Sequence, residues 1–128
     1  MQLINKCYWL LNHEPTENQK EELRTRFNAQ VVFPSYDIVE RWKNIPTNVS
    51  LDLDYFEPIL SWVSQMENND IAVIQGEMTA THYLIKELNN KNKRVFASVT
   101  DRVAKEERIG EKVIRSYIFE HKCFREYF

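Results

Sequence analysis

The stretch IAVIQGEMTATHYLIKEL, residues 71–88, decides the fold. Its four leading apolar residues, Ile71–Ile74, predict a buried strand, and apolar residues spaced by four predict a helix over 79–88. The turn between them, QGE, is centred on Gly76, one of only two glycines in the chain. Either the turn needs glycine for its geometry, or the backbone approaches a ligand closely there.

Strands and helices alternate on both sides of this unit. Apolar runs predict further strands at 8–11, 30–33, 94–99 and 113–119, and helical spacing predicts helices at 17–27, 37–43 and about 56–66. Such alternation is typical of an α/β sandwich with a mostly parallel sheet. No helix separates the last two strands, which predicts an antiparallel C-terminal edge. The sequence thus favours a small Rossmann-like sandwich.

Caps and breakers set the element boundaries. Thr16 and Gln19 have the spacing of a capping box at the start of the first helix. Pro58 fits only the first turn of its helix, so that helix is expected to start near Asp54 or Glu57. Gly110 is expected to make the turn into the last strand.

Length and composition indicate one globular domain over residues 1–128. Hydrophobic residues make up 43% of the chain and charged residues 28%, so the chain is neither disordered nor membrane-spanning in composition. The cysteines, Cys7 and Cys123, lie far apart without metal-binding spacing, and no signal peptide is evident. We therefore expect two reduced thiols in a cytoplasmic protein that does not enter a membrane.

Charge is unevenly distributed along the chain. The net charge is −2, which argues against stable binding to long nucleic acids. Residues 1–90 carry a balance of −6, whereas residues 91–128 carry +4. The C-terminal part is therefore either a local basic surface for phosphates or an ordinary solvated, salt-bridged surface.

Candidate site residues follow from the rule that open parallel sheets bind ligands beyond the carboxyl ends of their strands. No dinucleotide or nucleoside-triphosphate motif accompanies them, and no cofactor is indicated. The positions that follow the four parallel strands are Asn12, His13, Ser35, Gln75, Gly76, Glu77, Thr100 and Arg102.

Each charged candidate has a plainer alternative. His13 is a general acid/base or a cap of the neighbouring helix. Glu77 orients a ribose or acts as a base, or it only complements the helix dipole. Arg102 clamps a phosphate, or it forms an ion pair with Asp101 or Glu106.

The C-terminal segment HKCFREY adds weaker candidates. In a regular strand, His121, Cys123 and Arg125 would share one face. A metal site there is not expected, because no second ligand pair has suitable spacing. The remaining histidine, His82, is expected to be structural or exposed.

Five segments in order along the chain resemble a family of small CRISPR-associated proteins of the Csx type, the ring nucleases of type III systems. They are LLNHEPTENQ (10–19), FPSYDIVERWKNIP (33–46), IQGEMTATHY (74–83), SVTDRVAKEE (98–107) and FEHKCFREY (119–127). They include a His-x-x-Thr-x-x-Gln, a Gln-Gly-acid and a Phe-Arg-x-Tyr element. The chain departs from the family pattern at Thr79, where a glycine is usual, and at Asn12, where a serine is usual.

This resemblance implies a CARF-like domain that binds a cyclic oligoadenylate, with cyclic tetra-adenylate the first choice. It implies a homodimer that cleaves the ring without metal, by attack of the ribose 2′-OH, and so switches off antiviral signalling. By this resemblance, Arg102 would contact the phosphate, and the turn at 75–77 would position the ribose and backbone. His13 would transfer a proton or bind the ring. His121 and Arg125 are secondary candidates, and Thr79 belongs to the binding loop.

Other functions remain open from the sequence. A non-catalytic sensor would share every binding feature and lack turnover. An RNA-binding accessory would bind linear RNA with an affinity that falls steeply as salt is added. The overall acidic charge of the chain disfavours such binding. An α/β enzyme acting on another phosphorylated small molecule is the third alternative.

Overall fold

A computed structural model describes residues 4–128. Within them the strands are β1 (Asn5–Leu10), β2 (Ala29–Val32), β3 (Ile71–Ile74), β4 (Val95–Ile109) and β5 (Lys112–Glu126), and the helices are α1 (Glu17–Phe27), α2 (Tyr36–Lys43), α3 (Leu53–Val63) and α4 (Met78–Asn90). The strands form one sheet in the order β2-β1-β3-β4-β5. Strands β1 to β4 are parallel and β5 is antiparallel to β4. The predicted mixed α/β fold with an antiparallel C-terminal pair is confirmed.

Two apolar cores lie on opposite faces of the sheet. Because side chains alternate along a strand, Cys7 and Trp9 face α1, whereas Tyr8 and Leu10 face the layer of α2, α3 and α4. The larger core, on the side of the three helices, contains the fully buried Trp42, Phe56, Ile59, Leu84 and Leu88. Helix α1 alone covers the other face. Both faces of the inner strands are therefore buried, which explains their continuous apolar runs.

The direction of the chain reverses between β1 and β3. From β1 it crosses to β2 at one edge, and it then returns past β1 to form β3. Connections from β1 and β3 consequently leave toward opposite sides of the sheet. A crevice opens at such a point, outside the carboxyl ends of the two strands.

Gly76 is required by the packing of Trp42. A Cβ atom at Gly76 would lie 2.7 Å from ring carbons of the Trp42 indole. That ring is held in place because it is 2% exposed and its Nε1–H donates to the Gln75 carbonyl oxygen at 3.1 Å. The close approach that the sequence suggested at this glycine is thus made by a tryptophan of α2, so the geometric alternative accounts for it.

The C-terminal strands are much longer than the sequence predicted. Strand β4 continues to Ile109 instead of stopping at Val99, and β5 runs over Lys112–Glu126 instead of 113–119. Residues 100–120 form a two-stranded ribbon whose side chains are all exposed. Residues 100–112 are mostly charged and show no apolar alternation, so within the ribbon the sequence indicated a strand only at 113–119.

A β-bulge changes which face the C-terminal residues occupy. Val99 is paired with Cys123 but Thr100 is paired with His121, so Lys122 has no partner across the ladder. The extra residue reverses the alternation of side chains. His121 therefore lies on the α1 face with Phe124, their ring centroids 4.5 Å apart. The predicted single row of residues 121, 123 and 125 is wrong for this reason.

Helix boundaries agree with their caps, with one exception. Thr16 and Gln19 form the predicted capping box, and α1 spans the predicted residues. Helix α3 begins at Leu53 after the N-cap Asp52, so Pro58 lies inside the helix and not in its first turn. No helix within residues 4–128 is long and apolar enough to cross a membrane. Both cysteines are free thiols, and burial raises the pKa of Cys7.

We predict that Gly76→Ala lowers the free energy of unfolding by about 1–3 kcal/mol, because its methyl group overlaps the fixed Trp42 ring. Urea denaturation followed by circular dichroism measures this loss. Gly110→Asn is the matched control: Gly110 has φ +62 and open space around it, and asparagine tolerates that conformation. Equal stability of Gly76→Ala and the wild type would show that Trp42 moves aside freely.

Candidate functional site

A cavity of about 450 Å³ lies at the carboxyl ends of β1 and β3, beside Ser98 and Thr100 within β4. Its size is within the range of about 300–1,000 Å³ that small-molecule pockets have. Its position is the reversal point of the sheet, as expected for a ligand site. It is lined by Leu11, Asn12, His13, Gln19, Gln75, Gly76, Ser98, Thr100 and Phe119. Five of the sequence-predicted residues, at positions 12, 13, 75, 76 and 100, are thus brought together.

This central cavity has a neighbour on each side. The first, of about 390 Å³, shares Leu11, Asn12 and His13 with it. The second, of about 400 Å³, shares Gln75 and Gly76. The three form a row along the carboxyl edge of the sheet.

Each cavity of the row has an exposed phenylalanine in its wall. These are Phe33 in the first flanking cavity, Phe119 in the central one and Phe128 in the second, with exposures of 55%, 69% and 109%. Exposed aromatic faces on a binding surface are suited to stacking with nucleobases. The row therefore offers a repeated aromatic contact beside polar groups.

His13 has an imidazole nitrogen available for chemistry. Its Nδ1 lies 2.8 Å from the Glu14 carbonyl oxygen, which only accepts, so Nδ1 carries the hydrogen. In the neutral ring Nε2 is then an unprotonated acceptor in the wall of the cavity. His13 does not cap α1, because Thr16 has that role. Its loop is fixed by the Trp9 indole, which donates to the His13 carbonyl oxygen at 2.8 Å.

Gln75 holds the central cavity together. Its Oε1 accepts from the Ser98 N–H at 2.8 Å, and its Nε2 donates to the Ser98 carbonyl oxygen at 3.4 Å. The side chain thereby extends the pairing of β3 with β4 beyond the last residue of β3. Gln75 lines the cavity as predicted, with its amide already engaged by the backbone of Ser98.

Ser98 heads a chain of buried hydrogen bonds below the cavity. Its Oγ lies 2.7 Å from Nδ1 of His121, and Nε2 of His121 lies 2.7 Å from Oε1 of Glu22. Ser98 Oγ also accepts from Nε2 of Gln19 at 3.1 Å. The His121 side chain is only 4% exposed. The structure thus places this predicted binding residue below the wall of the cavity, where it contacts Ser98 and a carboxylate.

Glu22 is held as a carboxylate by its surroundings. It accepts from the Phe124 N–H at 3.0 and 3.1 Å and from Nη1 of Arg26 at 2.8 Å. Desolvation raises the pKa of Glu22, but the hydrogen bonds from Phe124, Arg26 and His121 outweigh it, and the net pKa is lowered. A carboxylate facing Nε2 of His121 only accepts, so Nε2 carries the hydrogen and Nδ1 accepts from the Ser98 hydroxyl.

Glu77 is the N-cap of α4 and is absent from the walls of these cavities. Its carboxylate accepts from the N–H groups of Thr79 and Ala80 and from the Thr79 hydroxyl. The pKa of Glu77 is lowered, first by the Thr79 hydroxyl and then by the two backbone groups. The structure thus favours the helix-terminus alternative for Glu77, and Thr79 serves the same cap.

Arg102 does not lie at a strand end, because β4 continues to Ile109. It is paired with Phe119, which lines the central cavity, and its guanidinium stacks 3.7 Å from the centroid of the Tyr117 ring. The ion pairs considered for it are not formed: Asp101 pairs with Lys122, and Glu106 pairs with Arg115. Arg102 itself is not among the residues that line the central cavity.

Two further candidates lie outside the central cavity. Ser35 is the N-cap of α2 and accepts from the Ile38 N–H at 3.5 Å. Arg125 is exposed and is paired with Ala97 at the edge of the sheet. His82 is exposed on α4, in the second flanking cavity. Within residues 4–128, no three His, Cys, Asp or Glu side chains are grouped to hold a metal ion.

The sequence analysis did not identify Gln19 as a contact of the site, nor Glu22, Ser98 and Phe119. One signal was present for Glu22, which lies three residues after Gln19 on the stripe of α1 that faces the sheet. A carboxylate on a buried helix stripe requires a partner. The partner, His121, is 99 residues away along the chain and is brought to it by the bulge.

Comparisons with known proteins match nearly the whole chain. A family model described as "Uncharacterized protein MJ1673 family" matches residues 5–125. The chain is also similar to the uncharacterized protein MJ1673 of Methanocaldococcus jannaschii, with 30% identity over 125 residues, 95% of this chain and 96% of that protein. No solved structure matches the chain. The family match includes every residue that lines the central cavity.

We predict that Glu22→Gln lowers the free energy of unfolding at neutral pH by about 1–3 kcal/mol, because charge-assisted hydrogen bonds are weakened. Since the pKa of Glu22 is lowered by folding, its contribution is complete above the unfolded value, about 4.3, and is lost as pH falls through the folded value. Wild-type stability should therefore drop below about pH 4.3 more steeply than that of the variant. Chemical denaturation at a series of pH values measures both effects.

The control is Glu21→Gln, which removes a neighbouring carboxylate that is half exposed and pairs with Arg24. Its effect on the free energy of unfolding should stay within about 1 kcal/mol. Parallel acid profiles for the wild type and Glu22→Gln would contradict the assigned state of Glu22.

Proposed function

The chain belongs to the Uncharacterized protein MJ1673 family, and we propose that it binds a cyclic oligoadenylate at the carboxyl edge of its sheet and cleaves it. Cyclic tetra-adenylate is the preferred ligand. The protein is then a CRISPR-associated ring nuclease that ends antiviral signalling in the cytoplasm. Two things support this proposal: the resemblance of five sequence segments to ring nucleases, and the polar and aromatic residues that line the cavities.

The observation that carries the proposal is the row of three cavities, each with an exposed phenylalanine. A ligand made of repeated nucleotides can place its bases in more than one cavity of the row, whereas a single small metabolite would use only one of them. In a two-fold dimer each copy would receive two of the four bases of cyclic tetra-adenylate. Stacking of a base on an aromatic ring contributes about 1–3 kcal/mol. Lys43 in the first flanking cavity and Arg102, paired with Phe119 of the central cavity, supply positive charge for phosphates.

The proposed fold assignment is a Rossmann-like, CARF-like sandwich. The strand order β2-β1-β3-β4 follows the flavodoxin-like pattern, in which a ligand lies at the reversal between β1 and β3. The central cavity lies at that reversal. The site and the topology therefore support the same assignment.

The proposed reaction uses a nucleophile that the substrate supplies. A ribose 2′ oxygen attacks the adjacent phosphorus in line, the new O2′–P bond forms, and the P–O5′ bond breaks to leave a 2′,3′-cyclic phosphate. The protein contributes positioning, stabilisation of the phosphorane charge and proton transfer, and we propose that no metal is needed. His13 transfers a proton, and Arg102 faces the charged phosphate.

A symmetric homodimer completes the proposal, because a symmetric ring fits two identical sites related by a two-fold axis. The exposed ribbon of residues 100–120 supports it, since an isolated two-stranded hairpin is only marginally stable in water. Its five basic and five acidic residues balance, so a second copy meets no net repulsion. On one face Val103 lies directly opposite Ile118.

A non-catalytic sensor is the second candidate. It is favoured by the position of Glu77, whose carboxylate caps α4, and by the engagement of the Gln75 amide with Ser98. Both side chains were expected to handle the ribose. Binding without turnover would follow if His13 alone does not suffice for proton transfer.

We predict that the wild-type protein converts cyclic tetra-adenylate, in the presence of EDTA, to linear products that end in a 2′,3′-cyclic phosphate. Chromatography with mass detection identifies them. His13→Ala should lower the rate by about 100-fold or more, as loss of an acid–base group does. Asn89→Ala, an exposed change near the far end of α4, is the control and should cleave at the wild-type rate.

Each result separates the candidates. An intact ring that co-elutes with the protein favours the sensor. Cleavage that appears only when Mg²⁺ or Mn²⁺ is added contradicts the metal-independent reaction. Rings of three to six adenylates that are neither bound nor cut would overturn the proposed function.

We also predict that Val103→Ser combined with Ile118→Ser converts the homodimer to monomers, because it removes the apolar pair on one face of the ribbon. Light scattering coupled to size exclusion measures the mass. Lys105→Ser, on the same face but at a charged position, is the control and should remain dimeric. A wild-type protein that is monomeric at every concentration contradicts the dimer, and a dimeric double variant moves the interface away from this face.

A further inference from the structure

A hydrogen-bonded row of three side chains ends at the wall of the central cavity. Its members are Ser98 at the wall, His121 behind it and Glu22 at the base, with 2.7 Å between each pair of neighbouring polar atoms. It is the order hydroxyl, imidazole, carboxylate that occurs in acid–base catalysis. The reaction outlined above assigns no step to it.

The directions of the hydrogen bonds follow from the partners. Gln19 accepts the Thr16 N–H on its Oε1 at 2.8 Å, so its Nε2 is the donor to Ser98 Oγ. Glu22 accepts from Nε2 of His121, which leaves Nδ1 without a hydrogen. Ser98 therefore donates its own hydrogen to Nδ1. This arrangement allows a proton to pass from the serine to the imidazole without any rearrangement of side chains.

The surroundings of the row suit a transient positive charge on His121. Burial alone would disfavour an imidazolium, but the Glu22 carboxylate faces it directly. Glu22 is itself fixed from two other sides, by the Phe124 N–H and by Arg26. Other groups against the ring are the aromatic side chain of Phe124 and the hydroxyl of Ser98.

We infer that Ser98 is a catalytic residue that accepts the proton of the attacking ribose hydroxyl, with His121 and Glu22 as positioning residues behind it. This inference rests on the proposed function. The 2′-OH hydrogen moves to Ser98 Oγ while the Ser98 hydrogen moves to Nδ1 of His121. The O2′–P bond forms and the P–O5′ bond breaks, and His13, which lines the same cavity and acts here in its protonated form, gives its proton to the 5′ oxygen. Solvent then restores both histidines.

The position of Ser98 fits this role. It is 9% exposed, and it lines the same cavity as His13. A reaction of this type needs one group to take a proton and another to give one. His13 lies in the cavity wall itself, and His121 is connected to the cavity through its hydrogen bond with Ser98.

The test measures affinity for cyclic tetra-adenylate and the single-turnover cleavage rate separately. Ser98→Ala and His121→Gln should lower the rate by about 100-fold or more without a matching loss of affinity. Ser98→Thr keeps the hydroxyl and should restore most of the rate. Ser61→Ala, the same change at an exposed position of α3, should be unchanged. Circular dichroism confirms that each variant is folded.

A second measurement needs no substrate. Nitrogen NMR of the imidazole rings in the wild-type protein should find the hydrogen of neutral His121 on Nε2. A hydrogen on Nδ1 would overturn the relay, because that nitrogen then has no capacity to accept. If the wild type cleaves the ring and Ser98→Ala cleaves it equally fast, the relay is overturned while the proposed nuclease function stands. A wild type that does not cleave any ring removes the proposed function and the relay together.

Discussion

The contact between the carboxylate of Glu22 and the edge strand β5 joins the N-terminal helix α1 to the C-terminal strand of the sheet. One side chain of α1 accepts from the Phe124 N–H, from Arg26 and from His121. Removing a carboxylate from water is unfavourable unless such partners replace the solvent. The contact therefore depends on a correctly placed β5, and the bulge at Lys122 provides it by turning His121 and Phe124 toward the same helix.

The same contact determines the shape of the candidate site. By fixing His121, it fixes the hydroxyl of Ser98, whose backbone is in turn clamped by Gln75 from the end of β3. Three strands and one helix are thus joined around a single serine. On the opposite face of the sheet, Trp42 fills the space that Gly76 leaves and donates to the Gln75 carbonyl oxygen. The cavity lies between two rigid supports, which preorganises its polar groups.

The ribbon formed by the outer parts of β4 and β5 differs in kind from this interior. All of its side chains over residues 100–120 are exposed, and it packs on neither core. Thr100 and Phe119 at its base line the cavity, and Arg102 is paired with Phe119. Any partner that contacts the ribbon would therefore also lie close to the wall of the site.

The sequence by itself determined the elements whose signals are local. The strand–turn–helix unit around Gly76, the capping box of Thr16 and Gln19 and the apolar stripes are consequences of short-range periodicity and hydrogen bonding, and the α/β class follows from their order. The strand-end rule also selected most of the cavity wall, from Asn12 to Thr100. Only the tertiary structure decided what those residues contact. Glu77 became a cap, Arg102 a mid-strand residue stacked on Tyr117, and His121 the partner of a glutamate 99 residues away. The physical reason is that a one-residue bulge reverses every following side chain, and nothing in the local pattern specifies a bulge that distant packing stabilises.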